Sequence, residues 1–223
     1  MTDTEFDQAI VKAAFEIIAE RGWDHLTMAD AARRAGQPLD RARARFPGKS
    51  RLLMRFGRLA DQSALASAGG DDLADAPHRD RLFDIVMRRI DALQAHRAGM
   101  LALFRALPRH PGTALMLGSL TLGSMAWLLD GAGIPTNGPK GALRVQGMLA
   151  VWLYTVRAWQ KDDSADLPAT MAALDRALDR AEQAEASICP SRTKSPATRP
   201  DDVPVSEADF MEPAPPMTEP PPL

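Results

Sequence analysis

Apolar residues fall at Phe6, Ile10, Ala13, Ala14, Ile17 and Ile18. Those spacings of three and four make one stripe and predict an amphipathic helix over Phe6 to Ala19, ended by Gly22. A short helix then opens at Thr27-Met28-Ala29-Asp30, with Thr27 as its N-cap and Asp30 three residues on. Ala31, Ala32 and Ala35 keep it small-sided, and Gly36 offers the positive φ that ends it. Pro38 suits a first turn, so Leu39 to Arg45 reads as a further short helix, its Ala42 and Phe46 facing inward. Phe46-Pro47-Gly48 stops it, and Lys49 to Leu65 follows with Leu52, Leu53, Phe56, Leu59 and Ala60 on one side. Trp23 and Leu26 are expected to plug the small core between these helices.

The same reading continues to residue 184. Leu82, Phe83, Ile85, Val86, Ile90 and Leu93 mark a helix from Pro77 to Ala95, followed by a short segment from Met100 to Leu107. Pro108 to Pro111 breaks the chain, and Gly131 to Pro139 is a loop between two long helices, Thr113 to Leu129 and Lys140 to Gln160. Leu167, Met171, Leu174 and Leu178 stripe a last helix from Leu167 to Ala184. No stretch alternates at period two, so the fold class is all-α. Thr113 to Leu129 carries no charge, yet Gly118, Ser119, Gly123 and Ser124 dilute it, and it reads as a buried core helix rather than a membrane span. Ser67-Ala68-Gly69-Gly70-Asp71-Asp72 is a flexible acidic joint. Ten of the 18 prolines lie beyond Cys189, where too little apolar surface remains to offset ordering, so a disordered tail is expected. The divisions are 5–66, a three-helix helix-turn-helix head; 67–187, a helical bundle; and 188–223, the proline-rich tail.

Charge changes the picture. Between Arg33 and Arg58 stand nine bases and one acid, Asp40, in a chain whose formal net charge is −2. A basic segment that coincides with two short helices joined at a glycine turn points to duplex DNA, the second helix entering the major groove. Arginine in that segment is also common on merely solvated faces. The candidate contacts are Gln37, Leu39, Asp40, Arg41, Arg43 and Arg45 on the recognition helix, with Thr27 and Lys49 as phosphate clamps at helix N-termini. Arginines capped by carboxylates, or folded inward, would count against this reading.

Ile10 to Leu53, containing IVKAAFEIIAERGWDHLTMADAARRAG and FPGKSRLL, resembles the N-terminal domain of TetR-type transcriptional regulators. Helix lengths, two glycines and the Phe-Pro-x-Lys closure fall in one register. The family usually has tyrosine and histidine where Arg43 and Arg45 stand, and often threonine at Arg41. The resemblance implies a homodimeric repressor, paired through its last two helices and released from its operator by a small apolar ligand in a C-terminal cavity. Residues proposed for that cavity are Phe104, Met116, Leu120, Trp127, Gln146 and Trp152. Trp127 to Asp179 also resembles the ubiquinone-biosynthesis lipid-binding accessory protein through Val151, Trp159, Asp162, Asp163, Ser164, Thr170, Leu174, Asp175 and Arg176. That protein has a TetR-like fold without repressor activity, so a lipid carrier that does not bind DNA is the alternative.

Enzyme chemistry finds little support. His25, His78, His96 and His110 lie in separate segments without metal-ligand spacing, and no phosphate loop, nucleophile elbow or CxxC occurs. No catalytic residue, metal or cofactor is expected. A single cysteine and a polar, acidic Thr2 to Gln8 fit a reducing, cytoplasmic setting without membrane insertion.

Overall fold

The computed structural model describes residues 1–66 and 76–188. The acidic joint at 67–72 and the proline-rich tail after Cys189 lie outside them. The described residues contain helices α1 (Asp3–Arg21), α2 (Met28–Arg34), α3 (Leu39–Arg45), α4 (Lys49–Leu65), α5 (His78–Gln94), α6 (Arg97–Ala106), α7 (Pro111–Gly131), α8 (Gly138–Trp159) and α9 (Pro168–Ile188), with a 3₁₀ turn at Leu107–Arg109 and no strand. The all-α expectation holds.

Local chemistry sets the ends. Thr2 and Glu5 form a reciprocal capping box at the start of α1, with the Thr2 amide donating to Glu5 at 2.7 Å. Thr27 accepts the Asp30 amide at 3.0 Å, as an N-cap should. Gly36 sits at φ +63°, the left-handed conformation in which a side chain would be strained.

Met1–Ile188 form one compact unit. Trp23, Leu26, Ala42 and Phe46 are buried among α1, α2 and α3, while Leu52, Leu53 and Phe56 carry the core along α4 to its contacts with α5 and α7. α6 crosses α1 so closely that a Cβ at Gly99 would lie 2.4 Å from the Phe15 carbonyl oxygen. Backbone atoms cannot swing aside as a side-chain tip can. Gly99→Ala is therefore expected to push α1 and α6 apart and destabilise by about 1–3 kcal/mol. Gly57→Ala, in open space within α4, should instead leave the melting temperature unchanged or raise it; thermal denaturation of both variants checks the contrast.

The residues behind the second resemblance hold the α8–α9 corner together. Trp159 is fully buried, donates its indole N–H to Gln94 Oε1 at 2.8 Å and lies under Arg97. Arg97 in turn reaches Asp163 at 2.8 Å. Asp162 accepts from Ser164 and from the amide and hydroxyl of Thr170, at 2.8 and 2.9 Å, which tethers the first turn of α9. Those hydrogen bonds, led by the Ser164 hydroxyl, hold the Asp162 carboxyl down to about 2. Asp175 binds Arg79 at 2.6 Å.

α7 departs from the buried core helix expected of it. It is long and apolar enough to cross a membrane, yet most of its length is not buried. Ser124, Met125, Leu128 and Leu129 face the core, whereas Leu115 and Trp127 are 78% and 68% exposed.

Candidate functional site

In the head, α2 and α3 form the expected helix-turn-helix, and α3 presents one side outward. Leu39 is 48% exposed, and Asp40, Arg43 and Ala44 are exposed beside it. Gln37 is half-buried and donates to the Ala35 carbonyl at 3.2 Å. Among the described residues Arg43 reaches only the Pro47 carbonyl, at 2.9 Å.

Two of the three arginines expected on this face turn toward α1 instead. Arg41 binds Asp3 at 2.7 Å and lies over the Phe6 ring. Arg45 grips Asp7 through Nε and, at 2.8 Å, through Nη2, and reaches Asp3 at 3.0 Å through Nη1. Arg55 of α4 closes on the other side of Asp7. For Arg45 the cause is Asp7, whose side chain is fully buried. A carboxylate removed from water must be matched by cations and hydrogen bonds. The two pairs also hold the Asp3 carboxyl below its usual range, the Arg41 hydrogen bond most strongly. The apolar stripe of α1 by itself does not reveal this role. The signal was present, since Asp7 stands four residues before Val11 and seven before Ala14, on the buried side.

The two clamp candidates are also engaged within the head. The Thr27 hydroxyl donates to Asp30 at 2.7 Å. Lys49 donates to the carbonyls of Trp23 and Asp24 at 2.8 and 3.2 Å and lies 5.0 Å above the Trp23 ring. Burial lowers the pKa of its ammonium, with Asp24 partly opposing. Lys49 therefore ties the α1–α2 turn to the first turn of α4.

A cleft of about 420 Å³ opens between α3 and α4, bordered by Arg41, Arg45, Arg51, Arg55 and Arg58. Arg51 and Arg58 are exposed and have no carboxylate partner among the described residues. They were not among the sequence candidates. Together with Arg43 they leave an outward-facing positive surface even after Asp3 and Asp7 are matched.

The bundle contains a second cavity, of about 970 Å³, among α4, α5, α6, α7 and α8. Phe104, Leu120 and Trp152, proposed from the sequence for a ligand cavity, line it. Met116, Trp127 and Gln146 do not. Met116 is half-buried and packs against the core outside the lining, while Trp127 is exposed on α7. Gln146 is exposed on α8. Among the described residues no group of three His, Cys, Asp or Glu side chains could hold a metal ion.

The exposed large apolar residues cluster on α7 and α8: Leu115, Leu122 and Trp127 on the first, Leu143, Leu153 and Tyr154 on the second. The exposed positions of α9 include Arg176, Arg180, Glu182 and Glu185. Among the described residues the exposed apolar surface thus lies on α7 and α8, while the exposed side of α9, the other of the last two helices, is charged.

No family model matches the sequence, and no curated protein matches it. Solved structures do. A TetR transcriptional regulator from Nitrosomonas europaea is 23% identical, with a TM-score of 0.67, covering 80% of this chain and 99% of that one. A TetR-family regulator from Streptomyces coelicolor is 19% identical, with a TM-score of 0.55, over 84% and 85% of the two chains. A third, from Rhodococcus sp. RHA1, is 16% identical, with a TM-score of 0.53, over 81% and 97%. The chain has the fold of the TetR-type transcriptional regulators.

Proposed function

We propose that the protein is a homodimeric, cytoplasmic regulator that binds a near-palindromic DNA operator and is released from it by an apolar ligand in the bundle cavity. The observation that carries this reading is the outward basic surface of the helix-turn-helix head, Arg43 on α3 with Arg51 and Arg58 beside the cleft. Arg43 and Gln37 are placed to read base edges, and Leu39 to touch a thymine methyl. Arg51 and Arg58 contact phosphate. Arg41 and Arg45 hold α3 against α1 and so position it, and Thr27 and Lys49 do the same for the turn before it. Asp40 is directed at an exposed cytosine amine.

Two heads need two chains, and the exposed apolar side of α7 and α8 supports pairing with a second copy. Leu122→Glu combined with Trp127→Glu touches neither cavity nor head. It is expected to yield folded monomers in sedimentation equilibrium and to lose operator binding; a dimer that survives would contradict the assigned face. The functional test is sequencing of genomic fragments retained by the purified protein. An enriched motif with two-fold symmetry is expected, and uniform recovery would contradict the proposal.

The alternative, a lipid-binding carrier of TetR-like fold without DNA binding, is supported by one observation. Arg41 and Arg45 are matched by Asp3 and Asp7. Under that reading lipid co-purifies and no DNA is enriched.

A further inference from the structure

The bundle cavity is apolar except at one inner point. Arg89 of α5 is only 5% exposed, lies 4.5 Å from the Trp152 ring and borders the cavity. Among the described residues its one ion pair is with Asp61 of α4, Nε to Oδ1 at 3.1 Å, while Asp61 Oδ2 accepts from Ser124 at 2.6 Å. Nε is thus matched in charge by Asp61, whereas Arg89 Nη1 is buried without an acceptor among the described residues. A buried guanidinium with unmatched N–H groups is costly, so such a group is retained where something else supplies the acceptor. The rest of the lining carries three more cations at exposed positions, Arg105, Arg157 and Lys161, and no acid. A volume near 970 Å³ lies at the upper end of ligand cavities.

We infer that the ligand is an amphiphilic carboxylate, its acyl-type chain among the leucines and aromatics and its carboxylate on the Nη end of Arg89, whose Nη1 has no acceptor among the described residues. Planar guanidinium and planar carboxylate match as a fork, and the pair gains strength where water is excluded. This rests on the bundle cavity being a ligand site, which both functional readings share. Burial alone pushes the Arg89 pKa down, opposed by Asp61; a bound carboxylate would add to the opposition. Arg105, Arg157 and Lys161 attract the anion to the mouth without holding it.

The test is calorimetric titration of the delipidated full chain, without DNA, with dodecanoate, dodecanol and dodecyltrimethylammonium. Dodecanoate should bind at least roughly tenfold tighter than dodecanol, and the ammonium amphiphile weakest. In Asp61→Asn with Arg89→Met, which removes both buried charges together, acid and alcohol should bind alike; in Arg157→Ala with Lys161→Ala the preference should persist. Should the first double variant fail to fold, carboxyl-¹³C dodecanoate on the wild-type protein decides the matter. Its resonance should resist protonation below the pH at which the free acid titrates. Equal affinity for acid and alcohol, a preference that disappears only in the mouth variant, or a freely titrating bound carboxyl would each overturn the inference. If none of the three amphiphiles binds, the cavity reading falls with it. Loss of DNA regulation with the acid preference intact would instead overturn only the regulator.

Discussion

Asp7→Ala is expected to destabilise the protein by roughly 3 kcal/mol, the lower end of what loss of one partner from a buried ion pair costs. The lower end applies because Arg45 and Arg55 keep 29% and 26% of their side-chain exposure and so regain some water. Both guanidiniums lose the carboxylate that orients them, and α3 loses its main polar tie to α1. Asp3→Ala, whose carboxylate is 65% exposed, should change stability far less, because water screens its pairs. Chemical denaturation of the two variants measures the difference. Equal, small effects would show that Asp7 is not the group that holds α3 in place.

Arg43→Glu combined with Arg51→Glu should leave stability close to wild type, because neither side chain has a carboxylate partner among the described residues. DNA affinity should fall by on the order of 100-fold or more, since each head loses a base contact and a phosphate contact. The single variants should separate the two jobs. Arg43→Ala relaxes sequence preference at one base pair per half-site. Arg51→Ala weakens every sequence alike and reduces the salt slope of the dimer by roughly two. A changed base preference in Arg51→Ala would contradict its assignment to phosphate.

Helix boundaries in the head were legible because punctuation is dense there. Gly22, Thr27, Gly36 and Pro47-Gly48 each have a local job that needs no knowledge of the rest of the chain. Which arginines remain free was not legible. The partner that claims Arg45 stands 38 residues earlier, and spacing within α3 cannot reveal it. The buried Asp7 was the available clue, a carboxylate on the inner side of an apolar stripe. On α7 the difficulty was different. The helix is apolar nearly all round, so periodicity does not say which half meets the cavity. Met116 and Trp127 were therefore assigned to a lining that Phe104, Leu120 and Trp152 do form, and the exposed half went unrecognised as a surface. Nothing in the sequence spacing links Arg89 to Asp61, 28 residues earlier; only packing brings them together.

If two copies of α3 enter DNA as this account requires, hydroxyl-radical footprinting of the enriched duplex measures it most directly. The expected pattern is two protected stretches on one face of the helix, their centres about 10 base pairs apart or a multiple of that, both abolished in Arg43→Glu with Arg51→Glu. One continuous or unphased protection, or none at concentrations where the protein is dimeric, would contradict the claim that this fold reads DNA.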